Sequence, residues 1–127
     1  IVAFVLVGNC DGHLKNFSLL ETPAGLRLSP LYDVVNSAFY SVFDQRLALA
    51  IGEDKPQLEA VTWSVLTAFG ERIGLPRRAV DQAFNDIRRG CLKAAPLLVP
   101  PAGEPPDGFV NRFADVVRSG CVRIFEP

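Results

Sequence analysis

The feature that most constrains the fold of this chain is a turn flanked by two segments of alternating polarity. Apolar and polar residues nearly alternate over residues 17–21, residues 22–25 (TPAG) supply turn chemistry, and period two resumes over residues 26–28. This pattern predicts a β-hairpin. A strand of five residues runs out roughly 17 Å at about 3.3 Å per residue, and its partner runs back. The hairpin is therefore expected to bring Asp33 close to Asn16.

Three polar residues around this hairpin have the spacing of a phosphoryl-transfer site. Asp11 and Asn16 lie five residues apart in one loop, and Asp33 follows the hairpin. In kinase-type transfer, one Asp accepts the proton of the acceptor hydroxyl, an Asn five residues later binds magnesium, and a second Asp binds the metal at the phosphates. The spacing predicts Asp11 as the general base and Asn16 and Asp33 as magnesium ligands.

Each residue of this loop also has a simpler structural interpretation. Asp11 precedes a glycine and fits a turn, Asn16 fits a hairpin cap, and Asp33 fits the end of a strand. His13 is consistent with a nucleotide contact, an orienting hydrogen-bond donor or a buried residue, and the sequence does not choose among these. Lys15 fits either a group that neutralises the transferred phosphoryl or a solvated surface lysine. Spacing within the whole set, rather than any single residue, favours the catalytic interpretation.

Composition narrows the class of protein. The 127 residues are one domain's length, and a hydrophobic fraction of 49% argues against disorder. A net charge of −1 gives no general reason to expect nucleic acid or an anionic membrane as a partner. Three cysteines, far apart in sequence, argue against a zinc site or a disulfide framework and favour a reducing cytoplasm. The apolar run of residues 1–7 is too short to span a bilayer, which needs about 20 residues, and is expected to end a buried helix.

The remainder of the chain is predicted to be mainly helical. Residues 34–51 are expected to form a loop with one short extended segment. Three amphipathic helices should follow, the first capped by Thr62, the second beginning at Pro76 and closed by Pro96, and the third capped by Asp107. The apolar stripe of the third helix is formed by Phe109, Phe113, Val116, Val117, Cys121 and Ile124. The expected fold class is therefore α+β, mainly α with a small β-hairpin.

Longer strings in the first 52 residues resemble one known family. The strings GNCDGHLKNFSLL, LSPLYDVV and LALAIG are similar to the GNxDxHxKNFS, FYD and LAMxIGG-like segments of the HipA family of serine/threonine kinase toxins. Leu49 replaces the family's usual Met, a change that nearly conserves volume. The predicted helices agree with the helical C-terminal lobe of that family. The resemblance implies the C-terminal lobe of a protein-kinase-like fold over residues 1–127, with the catalytic loop and metal-binding hairpin in residues 1–52 and a helical subdomain in residues 58–127.

The resemblance also implies site residues and partners. By position, Asp11 matches the catalytic base, Asn16 and Asp33 match the magnesium ligands, and the nucleotide contacts match His13, Leu14, Lys15, Asn16, Tyr32 and Asp33. The implied cosubstrate and metal are ATP and Mg²⁺. The implied partners are a protein substrate, glutamyl-tRNA synthetase or another translation factor, and a HipB-like DNA-binding antitoxin, through which the chain would associate indirectly with DNA in the cytoplasm. No membrane partner is expected.

The short chain and the shared Asp-to-Asn spacing leave two alternatives open. A kinase also needs a phosphate-covering glycine-rich loop and a strand lysine, which precede the catalytic loop, and only ten residues precede Asp11. The chain is therefore expected to be a C-terminal fragment that catalyses poorly alone. One alternative is a small-molecule phosphotransferase of the aminoglycoside-kinase type, which shares the Asp-to-Asn spacing. The other is a non-catalytic truncated lobe that acts as an antitoxin- or DNA-interaction module.

Overall fold

Four helices and one hairpin make up the regular structure of residues 1–126. The computed structural model describes residues 1–126. The elements are α1 (Val2–Leu6), β1 (Leu19–Thr22), β2 (Gly25–Leu28), α2 (Trp63–Arg72), α3 (Arg77–Ala94) and α4 (Phe109–Phe125). Short 3₁₀ turns occupy Leu14–Asn16, Ser37–Phe39, Leu58–Ala60 and Ala95–Leu97. The predicted class, mainly α with a small β-hairpin, is confirmed.

The short helix α1 lies at the centre of the core. Phe4, Val5 and Leu6 of this helix are buried. This agrees with its sequence, because a helix without polar residues has no face suited to water. Helices α3 and α4 both contact it. The core residues around it are Val5, Leu6, Cys10, Leu47, Ile51, Leu58, Val61, Leu66, Val80, Phe84 and Ile124. The loop that leaves α1, residues 8–13, therefore starts from a rigidly held position.

Close packing of α1 on α4 depends on a glycine, which gives a stability prediction. A Cβ atom at Gly120 would lie 2.6 Å from the backbone oxygen of Leu6, whereas a Cβ at Gly90, on α3, would meet nothing within 4 Å. Both Gly→Ala changes gain the same helix propensity. We expect Gly120→Ala to be less stable than Gly90→Ala by about 1–3 kcal/mol, the usual cost of overpacking. Thermal unfolding of the two variants measures this difference, and equal stabilities would contradict the close approach of the two helices.

The hairpin is a two-stranded antiparallel sheet, as predicted. Leu19 pairs with Leu28 and Thr22 pairs with Gly25. The turn is closed by Thr22, whose hydroxyl donates to the Gly25 carbonyl at 2.7 Å. The first strand begins at Leu19 rather than at Phe17, because the Phe17 ring packs edge-on against Phe4 of α1 with centroids 5.7 Å apart. This contact attaches the base of the hairpin to the core.

Two local predictions need correction and one is confirmed. Residues 34–51 contain the 3₁₀ turn Ser37–Phe39 and residues of two isolated bridges, rather than an extended segment. The cap of α4 is not Asp107: Gly108 occupies the N-cap, and the Glu104 carboxylate accepts from the Val110 N–H at 2.8 Å. The turn in which Glu104 N–H donates to the Pro101 carbonyl brings that carboxylate to the helix start. Thr62 does cap α2, accepting from the Val65 N–H.

A helix that crosses a bilayer must be long and apolar over its whole length. Within residues 1–126, no helix is both long enough and apolar enough to cross a bilayer.

Candidate active site

The loop after α1 is organised by a buried asparagine. Gly8 has a φ of 72°, in the region that favours glycine, and turns the chain away from the helix axis. The next residue, Asn9, is 2% exposed. Its side-chain oxygen accepts from the Asp11 N–H at 3.0 Å, and its amide nitrogen donates to the Asp33 carbonyl at 3.3 Å. Asn9 thus connects the backbones of both aspartates, a role that the sequence analysis did not predict.

Asn16 and Asp33 meet, as the hairpin predicted. Asn16 is 5% exposed, and its amide nitrogen donates to Asp33 Oδ2 at 2.7 Å. The Asn16 side-chain oxygen accepts from the His13 N–H at 2.8 Å, which fixes the orientation of the amide. Asp33 has a φ of 54°, a left-handed conformation that Asp and Asn adopt more readily than other non-glycine residues. Such a conformation is often found at functional sites.

Tyr32 joins the two chain segments on the solvent side of this pair. Its hydroxyl donates to the Lys15 carbonyl at 2.5 Å and accepts from the Ser18 hydroxyl at 2.8 Å. The Lys15 backbone before Asn16 and the Ser18 side chain after it are therefore both bonded to the residue that precedes Asp33. The side chains of Leu14 and Lys15 are exposed. Leu14, Lys15 and Tyr32 thus lie at the open side of the site, where a ligand has access to them.

The oxygen atoms of Asn16 and Asp33 suit a magnesium ion. Mg²⁺ prefers hard oxygen ligands and keeps several waters, so one or two protein oxygens together with substrate phosphates are enough. Asp33 Oδ2 accepts the bond from Asn16, which leaves Oδ1 for a ligand, and the Asn16 oxygen retains a second lone pair beside its bond from His13. No group of three or more His, Cys, Asp or Glu side chains converges anywhere in residues 1–126. The pair fits a metal held jointly with phosphate rather than a closed protein site.

Asp11 lies on the wall of a cavity of about 690 Å³, which neither Asn16 nor Asp33 lines. Its side chain is exposed, and none of the ion pairs found in residues 1–126 includes it. Its backbone is fixed by Asn9. An accessible carboxylate on a fixed backbone, without a cationic partner, is suited to accept a proton. Nearby, the Nδ1 atom of His13 is buried and has no hydrogen-bond partner within the described residues.

Cys10 was another residue that the sequence analysis did not assign to the site. Its N–H donates to the Ser37 hydroxyl at 2.8 Å, and its carbonyl accepts from the Ala48 N–H at 2.8 Å. Its thiol donates to the Gln45 carbonyl at 3.5 Å. Burial raises the pKa of the Cys10 thiol, which keeps it protonated at neutral pH. Cys10 is therefore a structural residue, which attaches the loop directly before Asp11 to residues 37–48.

Comparisons with known proteins identify the family. The family model of the HipA-like C-terminal domain matches residues 1–95. The serine/threonine-protein kinase toxin HipA of Shewanella oneidensis is 34% identical over 122 residues, which cover 94% of this chain and 28% of that protein. The putative kinase Y4mE of Sinorhizobium fredii is 31% identical over 130 residues, covering 94% of this chain and 29% of that protein.

A solved structure agrees with these sequence matches. A chain in the complex of Shewanella oneidensis HipA, HipB and operator DNA superposes with a TM-score of 0.73 at 32% identity, over 96% of this chain and 29% of that chain. The present chain thus spans less than a third of the length of the relatives it matches. The family-model match and the identity to a HipA toxin over nearly the whole chain show that this protein belongs to the HipA-like C-terminal domain family.

Proposed function

We propose that the chain is the catalytic C-terminal lobe of a HipA-like serine/threonine protein kinase, which transfers the γ-phosphate of ATP to a protein hydroxyl. The observation that carries this proposal is the contact between Asn16 and Asp33, together with the bonds by which Asn9 joins the backbones of Asp11 and Asp33. A general base and a pair of metal ligands, held by one buried asparagine, are the parts that a kinase C-lobe contributes. The names of the two relatives, a kinase toxin and a putative kinase, support the same class.

The proposed reaction assigns a separate role to each group. The acceptor hydroxyl oxygen attacks the γ-phosphorus, the bond from that phosphorus to the bridging oxygen breaks, and ADP leaves. Asp11 takes the hydroxyl proton. Asn16 and Asp33 would hold the Mg²⁺, which neutralises charge on the phosphates when bound. His13, Leu14, Lys15 and Tyr32, together with this pair, would contact the nucleotide.

The proposal includes a second lobe and two kinds of partner. A phosphate-covering loop and a strand lysine are needed for efficient transfer, and we assign them to residues outside this chain, which matches less than a third of its relatives. The relative of known structure is bound to HipB and operator DNA, and this supports a HipB-like antitoxin as a partner here. A translation protein such as glutamyl-tRNA synthetase is the acceptor that the family resemblance implies, and the reaction would take place in the cytoplasm.

A labelled-phosphate assay tests the proposed reaction. The full-length gene product is incubated with ATP labelled at the γ-phosphate, with Mg²⁺ or with excess EDTA. We expect label on the protein itself or on an added translation protein only when Mg²⁺ is present, because Asn16 and Asp33 supply neutral and anionic oxygens that need the cation at the phosphates. A folded full-length product that transfers nothing under either condition would favour the non-catalytic interaction module.

A further inference from the structure

We propose that the cavity beside Asp11 binds the acceptor polypeptide through a bulky apolar side chain that neighbours the accepting hydroxyl. This inference rests on the proposed function, since it names the substrate feature that the same site selects. The cavity holds about 690 Å³, within the roughly 300–1,000 Å³ range of ligand-binding clefts. Asp11 and Cys10 line it on the side of the catalytic loop. Whatever fills the cavity therefore comes next to the proposed base.

Five of the residues that line the cavity are aromatic. Its aromatic residues are Phe39, Tyr40, Phe43, Phe109 and Phe113. The rings contact one another in a continuous series, with centroids 5.0 Å apart for Phe39 and Tyr40 and 5.1 Å apart for Phe39 and Phe109. Even so, Phe109 is 61% exposed. Aromatic rings that are packed at their edges but open on one face gain most from burial against another apolar group.

Hydrogen bonds hold this aromatic wall in register with Asp11. The residue that precedes Asp11, Cys10, donates its N–H to the Ser37 hydroxyl and accepts from the Ala48 N–H, both at 2.8 Å. The Ser37 hydroxyl also donates to the Gly8 carbonyl at 3.3 Å. The segments on both sides of Phe39, Tyr40 and Phe43 are thus attached to the catalytic loop itself. An apolar side chain seated in the cavity would consequently fix its neighbouring hydroxyl relative to the base.

The charges around the cavity favour an uncharged occupant. Arg46 and Asp44 form an ion pair at 4.0 Å, and Arg112 lies 4.3 Å from the centroid of the Phe39 ring and donates to the Phe39 carbonyl. These cations are already engaged, and the carboxylate of Asp11 would repel an acidic group. The metal-ligand residues Asn16 and Asp33 do not line the cavity. Nucleotide and acceptor are therefore expected to reach the site from different sides.

Steady-state kinetics with paired peptides test this inference. The full-length gene product is given serine peptides that carry Phe next to the serine, and matched peptides with Ala in that place. We expect the Phe peptide to have a KM roughly tenfold lower, because a buried aromatic side chain is worth at least that factor. Phe43→Ala and Phe109→Ala should remove this difference in KM between the two peptides. Val42→Ala is the matched control, since Val42 is 85% exposed and does not line the cavity.

The outcomes separate this inference from the proposed function. Equal KM values for the Phe and Ala peptides, with phosphate transferred to both, would overturn the acceptor assignment and leave the kinase proposal intact. Loss of the Phe preference in Val42→Ala as well would also overturn it. If no peptide receives phosphate, transfer to the protein itself or to a translation protein decides the kinase proposal, and fluorescence anisotropy of labelled peptides decides on binding. Tighter binding of the Phe peptide that Phe109→Ala abolishes would support the cavity as the binding site of the acceptor. Equal binding of the Phe and Ala peptides would overturn this inference.

Discussion

Replacing Asp33 with Asn should lower phosphate transfer at least about a hundredfold with little change in stability. Asn keeps the shape of the side chain and can still accept the bond that Asn16 donates to Asp33 Oδ2. Asn also tolerates the left-handed conformation, with its φ of 54°, at this position. The change therefore removes a negative charge at the proposed metal site and nothing else. Initial rates with labelled ATP across a Mg²⁺ series, together with thermal unfolding, measure both effects.

A second aspartate of the same chain serves as the control for charge removal. Asp54 is exposed in a turn, where its backbone carbonyl accepts from the Ile51 N–H. Asp54→Asn should leave the rate within about twofold of the unchanged protein, because surface substitutions away from a site have small effects. A rate for Asp33→Asn above a tenth of the original at saturating Mg²⁺ would contradict its assignment as a metal ligand.

The hairpin and the Asn16–Asp33 contact are predictable from sequence because their signals are local. Turn residues between two alternating segments indicate the reversal of the chain, and the reversal brings together residues on either side of it. Asn16 and Asp33 lie 17 positions apart in the sequence and are then joined by a hydrogen bond of 2.7 Å. The candidate metal pair could therefore be predicted from the chain reversal at the hairpin and from the oxygen ligands that Asn and Asp supply.

The contacts that fix Asp11 have no such local signal. Asn9 reaches the Asp33 carbonyl across 24 positions, and Cys10 reaches Ser37 across 27. These bonds depend on how the loop after α1 packs against residues 33–48, which periodicity does not encode. The one available signal was a polar residue two positions after an unbroken apolar run, because a polar group buried at such a place must find a hydrogen-bond partner.

Helix α4 shows that an apolar stripe predicts the buried face of a helix but not how much of that face the core covers. The stripe predicted from Phe109 to Ile124 reaches the core at its far end, where Ile124 is fully buried. At its beginning, Phe109 projects beyond the core and lines the cavity instead. Amphipathic spacing identifies the face of a helix but not the point at which the core ends. The cap was wrong for a related reason, because Glu104 reaches the helix start through a turn rather than through adjacency.

Replacing Asp11 with Asn should slow phosphate transfer by roughly a hundredfold to ten-thousandfold. The amide cannot accept the hydroxyl proton, yet it matches the carboxylate in size and lies on the cavity wall in an exposed position. The bond from the Asp11 N–H to Asn9 uses the backbone and is kept in the variant. Nucleotide affinity should change little, because Asn16 and Asp33, rather than Asp11, are the proposed metal ligands.

The most direct test of the account is single-turnover transfer from labelled Mg²⁺-ATP, measured beside ATP affinity for the full-length gene product and for Asp11→Asn. The account predicts that the two proteins bind ATP within about threefold of each other, whereas transfer by the variant falls at least about a hundredfold. Transfer at equal rates by the two proteins would contradict the assignment of Asp11 as the base. Absence of transfer by both, with both folded and ATP bound, would contradict the kinase proposal itself.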